Sequence, residues 1–368
     1  MSKVGKAVVV REWNKPVCVE EVTVESPRRG EVMVKIAACG VCRSDLSAAN
    51  GTIPLPPPLV LGHEAAGVIE ELGEGVDDIA VGDHVAIVWV PMCGECRYCV
   101  EGRPALCDMG AKAAFTLPDG TSRLEDGEGN SLNQFMGVGV MAEYATVHRD
   151  NVVKIDPEIP LDKAALVGCA VMTGVGAALN TARVEAGSSV AVFGAGGIGL
   201  NVIQGAALAG ARQIIAVDLQ DKKLEFAQQF GSTHTINPGS DGDPVAKIRE
   251  LTGGGADYAF ECIGIPEAIA QSYNAVRKGG MAVVVGFTRA DATVTLGTFR
   301  MPLQEKVLTG SMYGSARPKI DFPRLLNLYQ ANRLKLDELV TATYPIEEIN
   351  RAFEDMVQGV NARGVLIM

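Results

Sequence analysis

The stretch SSVAVFGAGGIGLNVIQGAALAGARQIIAVD, residues 188–218, decides the fold. It reads as an apolar strand over Ser189–Phe193, a glycine turn, a small-residue helix over Ile198–Ala209, and a second apolar strand ending at Asp218. That rhythm belongs to the βαβ unit of a parallel sheet. The turn holds Gly194, Gly196, Gly197 and Gly199 in a G-x-G-x-x-G frame. In that frame the first glycine permits the tight turn, the second lets backbone approach a pyrophosphate, and the third seats the helix on the sheet. A helix N-terminus offers free N–H groups to the phosphates. Asp218 closes the next strand, where a carboxylate accepts from an adenosine ribose and repels a 2′-phosphate. The expectation is a Rossmann unit that prefers NAD to NADP. Lys223, in the following helix, is a second candidate for the same ribose.

Downstream, ADYAFECIG, GMAVVVGF and KVLTGSMY continue the strands, with helical KLEFAQQFG and PEAIAQSYNAV between them. Upstream the texture changes near Ala170. The first 170 residues are mostly short β-branched runs, such as EVMVKIAACG and AAGVIEEL, broken by Gly, Pro and Asp. Residues 110–140 are rich in glycine and charge and read as a long excursion loop. The expected organisation is α/β. A β-rich domain over 1–170 receives a return from 313–368, and a doubly wound parallel-sheet domain spans 171–312. A chain of 368 residues calls for two cores.

The net charge of −11 and the absence of a basic run argue against nucleic acid and anionic membranes as partners. No signal-peptide core follows Met1, and the expectation is that no uncharged stretch reaches the roughly 18 apolar residues a membrane span needs. A cytoplasmic location is expected. Nine cysteines, an odd number, do not suit a disulfide framework.

Four of those thiols crowd into CGECRYCVEGRPALC as Cys93, Cys96, Cys99 and Cys107. This spacing closes four sulfurs around one point and suits a structural zinc with no open position. An iron–sulfur cluster is the alternative. A second set is dispersed: Cys42 in CGVCRSD, His63 in GHE, and Cys169 in VGCAVMTG. Two thiolates and one imidazole are the donor set of a catalytic zinc that keeps its fourth position open. Cys18, Cys39 and Cys262 read as small core residues.

In order, GVCRSD, GHEAAGVIEELGEGV, GDHVA, the four-cysteine lobe, GCAVMTGVGAA and GAGGIGL resemble the zinc-dependent medium-chain alcohol dehydrogenases. The resemblance runs from about Lys6 to Met368, and the 110–140 segment is similar to the liver-type and formaldehyde-dehydrogenase branch. It implies a GroES-like catalytic domain beside the Rossmann domain, NAD, and two zinc ions per chain. Cys42, His63 and Cys169 would hold the catalytic zinc, with Glu64 a possible transient ligand, and the Cys93 lobe the structural one. It further implies Ser44 as the hydroxyl that takes the alcohol proton, and Asp45 as the carboxylate that fixes His63. Arg43 and Arg363 would contact the pyrophosphate. Homodimerisation through edge strands near Leu303–Tyr313 is also implied.

The sequence departs from that branch in two places. The histidine that often ends the proton relay, three residues past Ser44, is Ser47 here. Two positions that glutathione-using formaldehyde dehydrogenases fill with charge are Ile53 and Ala111. With Trp89, Phe135, Met136, Phe287 and Met312, Ile53 suits an apolar pocket instead. The expected reaction is hydride transfer between NAD and a primary alcohol, aromatic or of medium chain length. Three readings compete with it: oxidation of another thiol's formaldehyde adduct, a nicotinoprotein that never releases NAD, and an NAD-binding protein without catalysis. The last would lack part of the Cys42, His63, Cys169, Ser44 set, and all four are present.

Overall fold

The structure is a computed structural model. It describes residues 1–368 except the side chain of Ala111, so the expectation placed on Ala111 lies outside the described residues. The chain divides into two compact units: Met1–Cys169 with Arg317–Met368, and Ala170–Ala316.

In the first unit, the strands Lys3–Val10, Cys18–Val24, Leu124–Glu125, Ser131–Gln134 and Leu59–Val60 close into a barrel. Val9, Val22, Val24, Met33 and Leu132 are among the residues that fill it. Residues 110–140 are therefore not only a loop. They supply two barrel strands of two and four residues, too short to show alternation. The fully buried Arg123 ties this segment down, donating to Glu31 at 2.9 and 2.6 Å and to Asp119 at 2.6 Å.

A seven-stranded sheet lies in the same unit, with Glu31–Gly40 at its centre. Ala65–Leu72 and Arg363–Ile367 run antiparallel on either side of that strand, in the registers Cys39↔Ala65 and Leu366↔Cys39. The residues just past Gly40, just before Ala65, and at the start of Arg363–Ile367 thus share one end of the sheet. Pairing alone brings Cys42, His63, Glu64 and Arg363 into one neighbourhood.

The second unit is a six-stranded parallel sheet. Its order is His234–Ile236, Gln213–Val217, Ser189–Phe193, Ala256–Glu261, Val276–Val284, Val307–Gly310. The order reverses beside Ser189–Phe193, which is where doubly wound sheets open a crevice for ligands. Phe193, Ile215, Val217 and Ile236 pack beneath that point.

One expectation needs correction. The helical run Leu161–Ala182, 22 residues, is long and apolar enough to cross a membrane. Most of it is buried in the fold (83% of its apolar window), which is the pattern of a core helix. Its apolarity comes from small residues that let other backbone pack closely.

Candidate active site and metal centres

Cys42 stands immediately before the short helix Arg43–Ala49, and His63 lies two residues before the strand Ala65–Leu72. Cys169 sits in a π turn, Val167–Val171, inside a longer helical run. Such widened turns recur at functional sites because they re-aim a side chain within a helix. The ligand atoms of these three residues lie within 4.8 Å of one another. The three side chains come from segments far apart in the chain, and all three are buried.

His63 has both ring nitrogens engaged. Nε2 lies 3.3 Å from Cys169 Sγ, and Nδ1 lies 3.1 Å from Asp45 Oδ1. The same carboxylate oxygen accepts from the Gly62 N–H at 3.0 Å. Asp45 is itself fully buried, so its orientation is fixed. Burial alone would lower the His63 pKa, but the Asp45 carboxylate and Cys42 outweigh it and hold it well above the usual range. For Cys42, the contact with Cys169 is the largest influence; with His63 it lowers the thiol's pKa against the effect of burial. The contact with Cys42 and burial push the Cys169 thiol well above its usual range, and a bound divalent cation would favour its thiolate. Two thiolates and one imidazole, the imidazole backed by a carboxylate, fit zinc.

Ser44 places Oγ 3.8 Å from Cys42 Sγ. Phe135 and Trp89 meet the His63 ring edge-on, with centroids 5.4 and 6.1 Å away. Both are buried. Met136 and Ile53 are half-buried, while Phe287 and Met312 belong to the other unit and are 71% and 36% exposed. Ser47 is half-buried on the Arg43–Ala49 helix and Arg43 is exposed at its start.

Arg363 is buried, and its guanidinium pairs with the buried Glu64 carboxylate. Sheet pairing puts the two at the same strand ends. Glu64 accordingly faces Arg363, a partner the sequence did not disclose. The adjacency of GHE to the sheet end was the available signal.

In the Cys93–Cys107 lobe, Cys93 and Cys99 sulfurs are 3.9 Å apart, and Cys96 and Cys107 sulfurs 4.0 Å apart. A disulfide needs about 2.05 Å. Four sulfurs at about 2.3 Å from one zinc sit about 3.8 Å from each other. Backbone N–H groups face the sulfurs: those of Asp108 and Cys99 hold the Cys96 thiol down to about 6. Burial pushes Cys99 up to about 12 and Cys107 up as well, so it is the sulfur spacing that fits a closed, all-sulfur zinc. Cys39 is buried, whereas Cys262 is half-buried and Cys18 is exposed rather than core.

In the second unit, Gly194 takes φ +94° at the turn, and a Cβ on Gly199 would lie 1.8 Å from the Gly194 carbonyl oxygen. Only glycine lets the helix Gly197–Leu208 start this close to the strand. The space where a Gly196 Cβ would point is open, which leaves room for a phosphate group to approach the backbone. Asp218 Oδ2 accepts from the Ala195 N–H at 2.9 Å, which joins the carboxylate to the turn. Lys223 is half-buried in the helix Asp221–Gln229. These residues fit a dinucleotide.

The model of the zinc-binding dehydrogenase family matches residues 197–331, and that of the alcohol dehydrogenase GroES-like domain matches residues 28–157. The chain is 43% identical over 367 residues to the NDMA-dependent alcohol dehydrogenase of Amycolatopsis methanolica, with 98% of each covered. It is 39% identical over 368 residues to the S-(hydroxymethyl)glutathione dehydrogenase of Saccharomyces cerevisiae, with 98% of this chain and 95% of that one covered. The crystal structure of benzyl alcohol dehydrogenase from Acinetobacter calcoaceticus superposes with a TM-score of 0.93 at 34% identity, covering 100% of this chain and 99% of the other.

Proposed function

Because the chain belongs to the zinc-dependent medium-chain alcohol dehydrogenases, we propose that it oxidises aromatic or medium-chain primary alcohols with NAD. It is an oxidoreductase of alcohols and aldehydes that uses zinc and a nicotinamide cofactor. The finer reading is two zinc ions per chain, NAD rather than NADP, and a homodimer. The observation that carries the proposed alcohol oxidation is the convergence of Cys42, His63 and Cys169, with His63 backed by Asp45.

Bound zinc supplies Lewis acidity that eases ionisation of an alcohol, and bound NAD supplies the hydride acceptor. The rest falls to the chain. Cys42, His63 and Cys169 would hold the metal with one position left for substrate. Asp45 keeps the His63 imidazole in one tautomer and orientation. The Ser44 hydroxyl, beside Cys42, accepts the alcohol's proton as it hands its own onward toward solvent. Trp89 and Phe135 exclude water from the His63 side, which strengthens each electrostatic interaction there. Ile53, apolar and half-buried, favours a hydrocarbon substrate over a charged thiol adduct. The name of the Acinetobacter relative, a benzyl alcohol dehydrogenase, supports an aromatic substrate.

Asp218 supports NAD, since its charge opposes a 2′-phosphate. The edge strand Val307–Gly310 supports a dimer: Leu303, Val307 and Leu308 near it are 67%, 43% and 36% exposed, an apolar sheet edge that a second copy would cover. A cytoplasmic location accords with nine cysteines that serve metal sites or stay reduced instead of pairing.

The test is a panel of ethanol, hexan-1-ol and benzyl alcohol, each with and without added NAD. Turnover of benzyl alcohol and hexan-1-ol above that of ethanol, dependent on added NAD, is the expected result. An enzyme that reduces no NAD with any of the three would contradict it.

A further inference from the structure

We infer that Gln134, through its side-chain amide, is a positioning residue that sets how the enzyme discriminates between ring-bearing and straight-chain alcohols. Gln134 is fully buried and ends the barrel strand Ser131–Gln134, one residue before Phe135. Its Oε1 accepts from the Arg123 N–H at 2.9 Å, with the Ser122 hydroxyl 3.1 Å away. Its Nε2 donates to the carbonyls of Val138 and Thr146, each at 3.2 Å. One amide therefore closes the turn that carries Phe135 and Met136, and fastens it to the strand Tyr144–His148.

What the turn carries makes that closure matter. Phe135 rests edge-on against His63 at 5.4 Å. Met136 is held at φ +54°, a left-handed conformation that costs a non-glycine residue on the order of 1 kcal/mol. The turn also reaches the metal side by a second route, because the Val140 N–H donates to the Gly62 carbonyl, one residue before His63. A strained residue keeps its conformation only where its surroundings over-determine it. Here the Val138 carbonyl, two residues on, is held by Gln134. Without the amide, the Val138 and Thr146 carbonyls lose a buried donor. The turn then keeps its bonds from Met136 N–H to Ala114 and from Val140 N–H to Gly62 but loses its tie to Tyr144–His148, and Met136 shifts with it. Small displacements of a pocket wall act most on bulky rigid substrates, which cannot refit as a flexible chain can.

This inference rests on the proposed alcohol oxidation, and the experiment separates the two. Gln134→Met keeps the side chain's length and removes its hydrogen bonds. Gln213→Met removes a buried amide from the cofactor unit, where Nε2 donates to the Leu251 carbonyl, and controls for general destabilisation. For each protein the kcat/KM ratio of benzyl alcohol to hexan-1-ol is measured, together with zinc content and Tm. Gln134→Met should shift the ratio by about tenfold with zinc content unchanged, and Gln213→Met should leave the ratio at the wild-type value. If Gln134→Met does not fold, Gln134→Glu takes its place, since it keeps an acceptor for Arg123 and alters only the donor side. An unchanged ratio in the folded variant overturns the inference. So does loss of zinc from it, which would put Gln134 in support of the metal rather than of the wall. A wild type inert toward every alcohol overturns the proposed function, and this inference with it.

Discussion

The Nδ1 of His63 lies 3.1 Å from Asp45 Oδ1, and neither side chain reaches solvent. A metal-facing imidazole depends on such a partner for its tautomer and angle. Asp45→Asn keeps the shape and an acceptor for the Gly62 N–H but removes the charge. Zinc affinity at this site should fall about 10–100-fold, and activity should become sensitive to weak chelators. Competition with a chelator of known affinity measures it; wild-type affinity in the variant would remove Asp45 from the metal's support.

Asp218 joins cofactor choice to the glycine turn through the Ala195 N–H. Asp218→Gly should weaken NAD and improve NADP relative to it, because the ribose acceptor and the repelling charge both vanish. Asp218→Asn, which can still accept from Ala195, should show the NADP gain with less damage to NAD. Steady-state KM values for both nucleotides decide this. An NAD/NADP preference untouched by either change would take Asp218 out of the site.

Ser47 tests the proton path. A serine hydroxyl does not ionise near neutral pH, whereas histidine, with an unperturbed pKa of about 6.5, can act there as a base. Ser47→His should raise turnover near and just below neutral pH. The gain should be about tenfold, less than full general-base catalysis because water already serves as a substitute. The measurement is the pH profile of turnover with one primary alcohol, and overlaying profiles would show that Ser47 does not stand at the end of the path.

Asp119 and Arg123 form a clamp with a calculable pH dependence. Burial alone would raise the Asp119 carboxyl, but donors from Arg123 and Thr121 outweigh it and hold it at about 2. A depressed carboxyl contributes stability above its unfolded pKa of about 3.9 and loses it as pH falls through the folded value. Asp119→Asn should therefore lower Tm near neutral pH, and the gap should close between about pH 4 and pH 2. Because Asp119 is half-exposed, the contribution should stay below about 1 kcal/mol. A gap that persists at about pH 2 would assign the effect to something other than this ion pair.

Much of this architecture was legible in the sequence, for physical reasons. The runs Glu31–Gly40 and Ala65–Leu72 are long enough for β-branched residues to declare a strand, and the structure gives them those bounds. Gly194 and Gly199 were legible because no other residue survives their geometry. The strands Leu124–Glu125 and Ser131–Gln134 were not, since two to four residues carry no period. Their place is set by a buried arginine, and arginine's default reading is exposure. The same default hid the Glu64–Arg363 pair. Gln134 was hidden for a different reason: an amide that bonds only to main chain leaves no pattern along the sequence.

The central claim is that Cys42, His63 and Cys169 hold a catalytic zinc distinct from the one in the Cys93–Cys107 lobe. It is tested most directly by counting zinc against activity in the wild type and in Cys169→Ser. The account expects two zinc ions per wild-type chain, one of them lost together with activity on mild chelation. It expects Cys169→Ser to retain one zinc and no alcohol-dependent NAD reduction. A fully active wild type with a single zinc, or a Cys169→Ser protein with both zinc ions and undiminished turnover, would contradict it.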